Sequence, residues 1–290
     1  MLKITSSLLL ILLSVTYSFS QGIAPLPLFD STWVKPYAPF RIAGNLYYVG
    51  TYDLACYLIA TGDGNILINT GLAESVPMIR KNIETLGFNY GDIKMLLTTQ
   101  AHFDHVAGMA EIKKATGAKM MVHEGDAQVL RDGGKSDFLF GGSSTFAGVK
   151  PDRLLHDRDT LLLGETKVVV LHHPGHTKGS TSFVLDVVDE QRSWKVLIVN
   201  IPSILPQTHL SGMPSYPDIS KDYAYTFEAL QKLQFDLWVA SHASQFRLHS
   251  KRKTGDPYAP QVFNDRAGYD TSINMIKQQY DKRLQEENGK

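Results

Sequence analysis

Between Thr99 and His105 the chain brings two imidazoles and a carboxylate within four positions, His102, Asp104 and His105, with Gln100 just before them. They follow directly on the apolar run of residues 93–98, which places them on the loop leaving a buried strand. Neutral imidazole and carboxylate are ligands that zinc accepts in catalytic sites with an open position for water. His102 and Asp104 are separated by one residue, so an extended loop throws both to one side. His105 follows at the start of a helix expected over residues 106–116, where it can turn toward a second ion. The alternative chemistry is bland: a polar turn in which Asp104 caps that helix. The cluster alone leaves the two readings even, and distant ligands must decide.

Two further histidines have the required setting. His176 stands in His173-Pro174-Gly175-His176-Thr177, after an apolar strand and on a turn that Pro and Gly force to be tight. His242 stands in Ala240-Ser241-His242-Ala243, again directly beyond an apolar strand. Three strands thus each end in a potential ligand, and rigid strand ends hold side chains to the tolerance a metal needs. His123, His156, His209 and His249 lack such company and read as structural or surface residues. His172 and His173 are adjacent on an extended segment and should face opposite ways.

The elements that must position these ligands alternate. Strands are expected over residues 46–51, 56–60 and 65–69, a helix over 74–86, the strand 93–98, the helix 106–116, a strand over 119–123 and a short helix over 124–131. Residues 133–148 are glycine-rich, carry Phe138, Phe140 and Phe146, and read as a long surface loop of the binding kind. Within it Gly134-Lys135-Ser136 is no phosphate loop, because Val129 occupies the place of the required first glycine. Strands over 167–172, 182–187, 194–199 and 237–240, with helices over 223–233 and 261–287, complete a second half. The expected class is α/β, two sheets packed together with helices outside, in halves of about 41–159 and 160–290.

The chain begins Met1-Leu2-Lys3, then runs apolar from Leu8 to Val15 and reaches the small-x-small triplet Ser18-Phe19-Ser20. That is the pattern of a secretory signal peptide, residues 1–20, shorter than a membrane span. Residues 21–290 are then the mature domain, periplasmic or secreted, with no membrane partner. Lys+Arg and Asp+Glu balance at 29 each, so no basic stripe exists to hold nucleic acid. Cys56 is the one cysteine and lies in a strand-like run, so it reads as a small core residue with no disulfide partner. No apolar partner stripe is visible, which makes a monomer the default.

Gln-x-His-x-Asp-His at 100–105, His-Pro-Gly-His-Thr-x-Gly-Ser at 173–180 and Ser241-His242-Ala243 resemble the metallo-β-lactamase superfamily, and within it subclass B3. Closer still, the chain resembles the GOB-type branch, in which glutamine likewise replaces the first histidine. The run from Arg41 to Leu54 and Ser241 to Phe246 are similar to that branch as well. The resemblance implies a four-layer αββα sandwich with the metals at one edge, between the sheets. It implies a first zinc on Gln100, His102 and His176, and a second on Asp104, His105 and His242. Where lactonases and glyoxalase II place a bridging aspartate, and other lactamase classes a cysteine, this chain reads Val199-Asn200-Ile201. Neither is present, as in B3. Serine is common there in B3, so Ile201 is a further departure that removes a polar contact near the second metal. Ser203 resembles the position that helps bind the substrate carboxylate.

The implied function is hydrolysis of the amide bond of β-lactams by metal-bound hydroxide, oriented by Asp104, with one or two zinc ions per chain. Phe138 and Phe140 would pack on the drug's side chains or anchor their own loop. A carboxamide oxygen is a poorer zinc ligand than imidazole nitrogen, so the second site should bind more strongly. Alternatives are a lactone or thioester hydrolase of the same fold, and a zinc-binding protein whose catalysis is impaired by Gln100 and Ile201.

Overall fold

The computed structural model describes residues 30–289, so the expected leader lies outside the described residues. In chain order the elements are β1 Phe40–Ala43, β2 Leu46–Tyr48, β3 Tyr57–Thr61, β4 Gly64–Ile68, α1 Val76–Thr85, β5 Ile93–Leu97, α2 Phe103–Val106, α3 Met109–Thr116, β6 Lys119–His123, α4 Ala127–Asp132 and β7 Arg153–Leu155. The second sheet follows with β8 Thr160–Leu163, β9 Thr166–His172, β10 Thr181–Val188, β11 Ser193–Val199, α5 Ile219–Gln231, β12 Leu237–Ala240, α6 Leu248–Lys251 and α7 Arg266–Asn288. Strands β1 to β7 form one sheet in sequence order, and β12-β11-β10-β9-β8 form the other.

The central strands are buried on both faces, which is why they read as continuous apolar runs. Along β3, β4 and β5 the pleat sends Tyr57, Ile59, Ile66, Ile68 and Leu97 into the core shared with Val170, Phe183 and Ile198 of the second sheet. Leu58, Leu67 and Leu96 point the other way, onto Ile79 and Ile83 of α1 and Ile112 of α3. Tyr223, Phe227 and Leu230 of α5, with Tyr269 and Ile273 of α7, join the second sheet's core. The result is the expected αββα sandwich. Cys56 is fully buried under the outer helices, and burial pushes its thiol up, away from any nucleophilic role.

Three strands were not expected. β1, β7 and β8 are sheet edges of three or four residues, too short to show a pattern. The single helix expected over 106–116 is broken into α2 and α3. Gly108 sits at the break, where a Cβ would lie 2.7 Å from Val76 Cγ2 and 3.0 Å from the Thr70 carbonyl. The chain turns there because it is pressed against the loop leaving β4. His105 therefore lies inside α2 rather than ahead of a helix, and its carbonyl accepts from Thr70 N–H at 2.8 Å. The last helix begins at Arg266, five residues later than expected, where the Asp265 carboxylate accepts from Gly268 N–H.

Candidate metal centre

The loops that leave β5, β9, β11 and β12 meet at one edge of the sandwich. They frame a cavity of about 440 Å³ lined by Gln100, His102, Asp104, His176, Ser203 and His242, with Trp33, Asp53, Phe103, Phe140, Leu205, Gln207, Ser244 and Gln245 around them. Two buttresses fix this edge. Thr99 is clamped between the sheets: its carbonyl accepts from Thr181 N–H at 2.7 Å and its hydroxyl accepts from Ser241 Oγ at 2.9 Å. Asn69, in the left-handed region at φ +61°, accepts from Thr99 N–H at 2.9 Å.

Asp104, His105 and His242 offer ligand atoms that all lie within 4.8 Å of one another. Asp104 Oδ2 is 3.1 Å from His105 Nε2 and 3.3 Å from His242 Nε2. The capping alternative fails, because His102 precedes α2 and Asp104 is used inside the cluster. His242 Nδ1 donates to Asp53 Oδ2 at 2.9 Å, and Asp53 also accepts from Ser244 N–H at 2.8 Å. Burial pulls the His242 pKa down, but the two carboxylates carry it up to about 9. Asp53, despite its own burial, is held down to about 2 by His242 and Ser244. A proton on His242 thus stands between two carboxylates, where a cation is wanted.

Gln100, His102 and His176 form the neighbouring group. The His102 and His176 rings are 4.8 Å apart, tilted by 70°. His176 Nδ1 donates to the Ser203 carbonyl at 2.7 Å, which assigns the Nε2 lone pair to the cavity side. Burial, then the charge of His102, pushes His176 down to about 3, so it stays neutral. Gln100 Oε1 and His105 Nδ1 are buried without a hydrogen-bond partner, and His105 Nε2 meets only the Asp104 carboxylate, at 3.1 Å and without aligned geometry. Each unsatisfied buried group costs about 1–3 kcal/mol. Gln100 Oε1 and one nitrogen of the neutral His105 ring, whose other nitrogen carries the proton, offer lone pairs that fit a bound cation, and both donor sets are chemically suited to one.

Sequence reading missed the three carboxylates behind the ligands. Asp53 backs His242. Asp126 accepts from Ala101 N–H at 2.9 Å, Thr177 Oγ1 at 2.8 Å and Gly179 N–H at 2.7 Å, and so staples the loop of Gln100 and His102 to the loop of His176. Gly179 is required there, since a Cβ would fall 2.5 Å from Asp126 N. Asp137 faces His102. Their partners lie as far as 189 residues away in sequence, so no local spacing could reveal them.

Of the expected substrate contacts, Ser203 and Phe140 line the cavity. Phe138 does not: it turns away and packs edge-on against Tyr216 at 5.1 Å. Ile201 joins the apolar core and is absent from the cavity wall. His172 and His173 do face opposite ways, His172 stacking on His123 at 3.8 Å and His173 bonding Ser182 Oγ at 2.8 Å, and neither lines the cavity. His156 and His209 also lie outside it, and His249 bonds the Tyr52 carbonyl at 2.8 Å.

Residues 51–188 match the metallo-beta-lactamase superfamily. LRA-12, a class B3 di-zinc metallo-beta-lactamase from an Alaskan soil metagenome, is 59% identical, over 89% of this chain and 99% of that one, with a TM-score of 0.87. The chain belongs to the metallo-β-lactamase superfamily, subclass B3. A beta-lactamase from Chitinophaga pinensis is 56% identical over 89% of this B3 chain and 97% of its own, with a TM-score of 0.88. GOB-18 from Elizabethkingia meningoseptica is 52% identical over 92% and 100%, with a TM-score of 0.89. Curated relatives match over shorter stretches. A probable metallo-hydrolase of Burkholderia pseudomallei is 34% identical over 32% of this chain and 31% of its own length. A hydroxyacylglutathione hydrolase of Rhodospirillum rubrum is 31% identical over 40% and 36%. The B3 chain therefore spans about a third of those two relatives.

Proposed function

We propose that the protein is a zinc-dependent β-lactamase that opens the lactam amide of penicillins, cephalosporins and carbapenems. The observation that carries this is the pair of side-chain clusters at one cavity, with Gln100 Oε1 buried and unpartnered and His105 Nε2 and His242 Nε2 both turned to the Asp104 carboxylate. Gln100, His102 and His176 would hold the first zinc, and Asp104, His105 and His242 the second. When bound, zinc supplies a Lewis acid that brings the pKa of water to about 7, so the nucleophile is available at neutral pH. Asp104 orients the attacking water from inside the cavity, and His176 and His242 are kept in one tautomer by Ser203 and Asp53. The Ser203 hydroxyl receives the substrate carboxylate, and Phe140, 5.0 Å from the His102 ring, packs on the variable side chain. Among the described residues no helix is long and apolar enough to cross a membrane. The leader pattern at residues 1–20 supports export to the periplasm or beyond, and hydrolysis of β-lactams there would give a role in antibiotic resistance.

The deciding experiment is carbapenem hydrolysis by the purified mature chain, before and after chelation. Turnover is expected, lost with the chelator and restored by zinc. Turnover that survives exhaustive chelation would refute the proposal. So would a panel in which only lactones or thioesters are cleaved. That second outcome would favour the reading suggested by the hydroxyacylglutathione hydrolase relative, against which the buried apolar Ile201 counts.

A further inference from the structure

The glycine-rich loop between α4 and β7 sends one carboxylate inward. Asp137 is buried, and its Oδ1 accepts from Leu139 N–H at 2.9 Å and Phe140 N–H at 2.6 Å. Its Oδ2 lies 3.3 Å from His102 Nε2, a nitrogen that is itself buried and has no aligned hydrogen bond. His102 lines the cavity, so with Nε2 turned to Asp137 the ring edge it offers there is the Nδ1 side. The same carboxylate also sets the turn that aims Phe140 at the cavity.

We propose that Asp137 is the positioning residue of the first metal site: it accepts the Nε2 proton of His102, leaves the Nδ1 lone pair toward the cavity, and ties the order of residues 137–140 to cation binding beside Gln100. The proposal rests on the zinc reading above. A carboxylate on the far nitrogen fixes a ligating imidazole and raises its basicity. That matters most here, where the neighbouring ligand is a weak carboxamide. Linkage then runs both ways: a cation that prefers the ordered His102 must also stabilise the loop turn that orders it.

The test is zinc titration against a competing chelator for wild type, Asp137→Ala and Asp137→Asn. It is read together with imidazole nitrogen NMR and with hydrogen exchange over residues 137–141, with and without zinc. Asp137→Ala should weaken the weaker of the two zinc equivalents by about 10–100-fold and leave the stronger unchanged. Asp137→Asn retains an acceptor and should recover most of that loss. Zinc should slow exchange over 137–141 in wild type and lose this effect in Asp137→Ala. The metallated nitrogen of His102 should be Nδ1. Unchanged affinity in Asp137→Ala, or metallation at Nε2, overturns the proposal. If the alanine variant does not fold, the NMR assignment in wild type and the asparagine variant still decide. Two bound zincs with these responses but no lactam turnover would sink the functional reading alone. Lactam turnover with unchanged affinity in Asp137→Ala would sink the positioning role alone.

Discussion

The two ligand clusters share one cavity and are built on opposite principles. The second contains a carboxylate, Asp104, and has another, Asp53, directly behind His242. The first has only neutral donors, Gln100, His102 and His176, and its carboxylates stand outside the ligand set. Asp126 holds the backbones of both loops, and Asp137 holds the far side of His102. Protonation follows the carboxylate nearest each ring rather than the cluster: His102 is raised beside Asp137 against the pull of burial, and burial lowers His105. His242 is carried up to about 9 by its carboxylates against the pull of burial, while buried His176 falls to about 3. One cluster carries a carboxylate among its candidate donors; the other has its nearest carboxylate behind a ring, at His102. In the proposed zinc site a weak ligand such as Gln100 would shift the burden to whatever orients its neighbours.

Substitutions can break or sharpen this contrast. The largest effect is expected from Asp104→Ala or His242→Ala, each removing a ligand of the charged cluster. Loss of a supporting group outside the ligand set costs about 10–100-fold, so loss of a ligand should lower kcat/KM by more than that. Near-normal turnover in either variant would dissolve the assignment. Next comes Asp53→Ala, which frees the His242 ring. Zinc affinity of the stronger site should fall about 10–100-fold with the weaker site untouched, as read by chelator competition. An equal fall at both sites would show that Asp53 supports the whole edge rather than one cluster. Smallest is Gln100→His, which replaces carboxamide by imidazole. It should tighten the weaker site by about tenfold, or ~1.4 kcal/mol, and narrow the gap between the two titration steps. No change would mean that Gln100 is not the limiting ligand.

Much of this was legible beforehand because it is local. The ligand motifs follow strands whose apolar runs announce burial on both faces, and β3, β4, β5 and β9 to β12 fall close to where the pattern puts them. What escaped has physical causes. Edge strands β7 and β8 bury one residue each, and β1, though buried at Phe40, Ile42 and Ala43, has only four residues, too few to show a period. The break between α2 and α3 answers to contact with Val76 and Thr70, which no window around Gly108 contains.

The sequence by itself determined the candidate ligands, the strand ends that carry them and the family, since each depends on residue identity and short spacing. Only the tertiary structure decided which carboxylates serve the ligands, and that Phe140 rather than Phe138 faces the cavity. Charges and hydrogen-bond acceptors act over a few ångströms in space, and the fold sets those distances between segments that the chain keeps far apart.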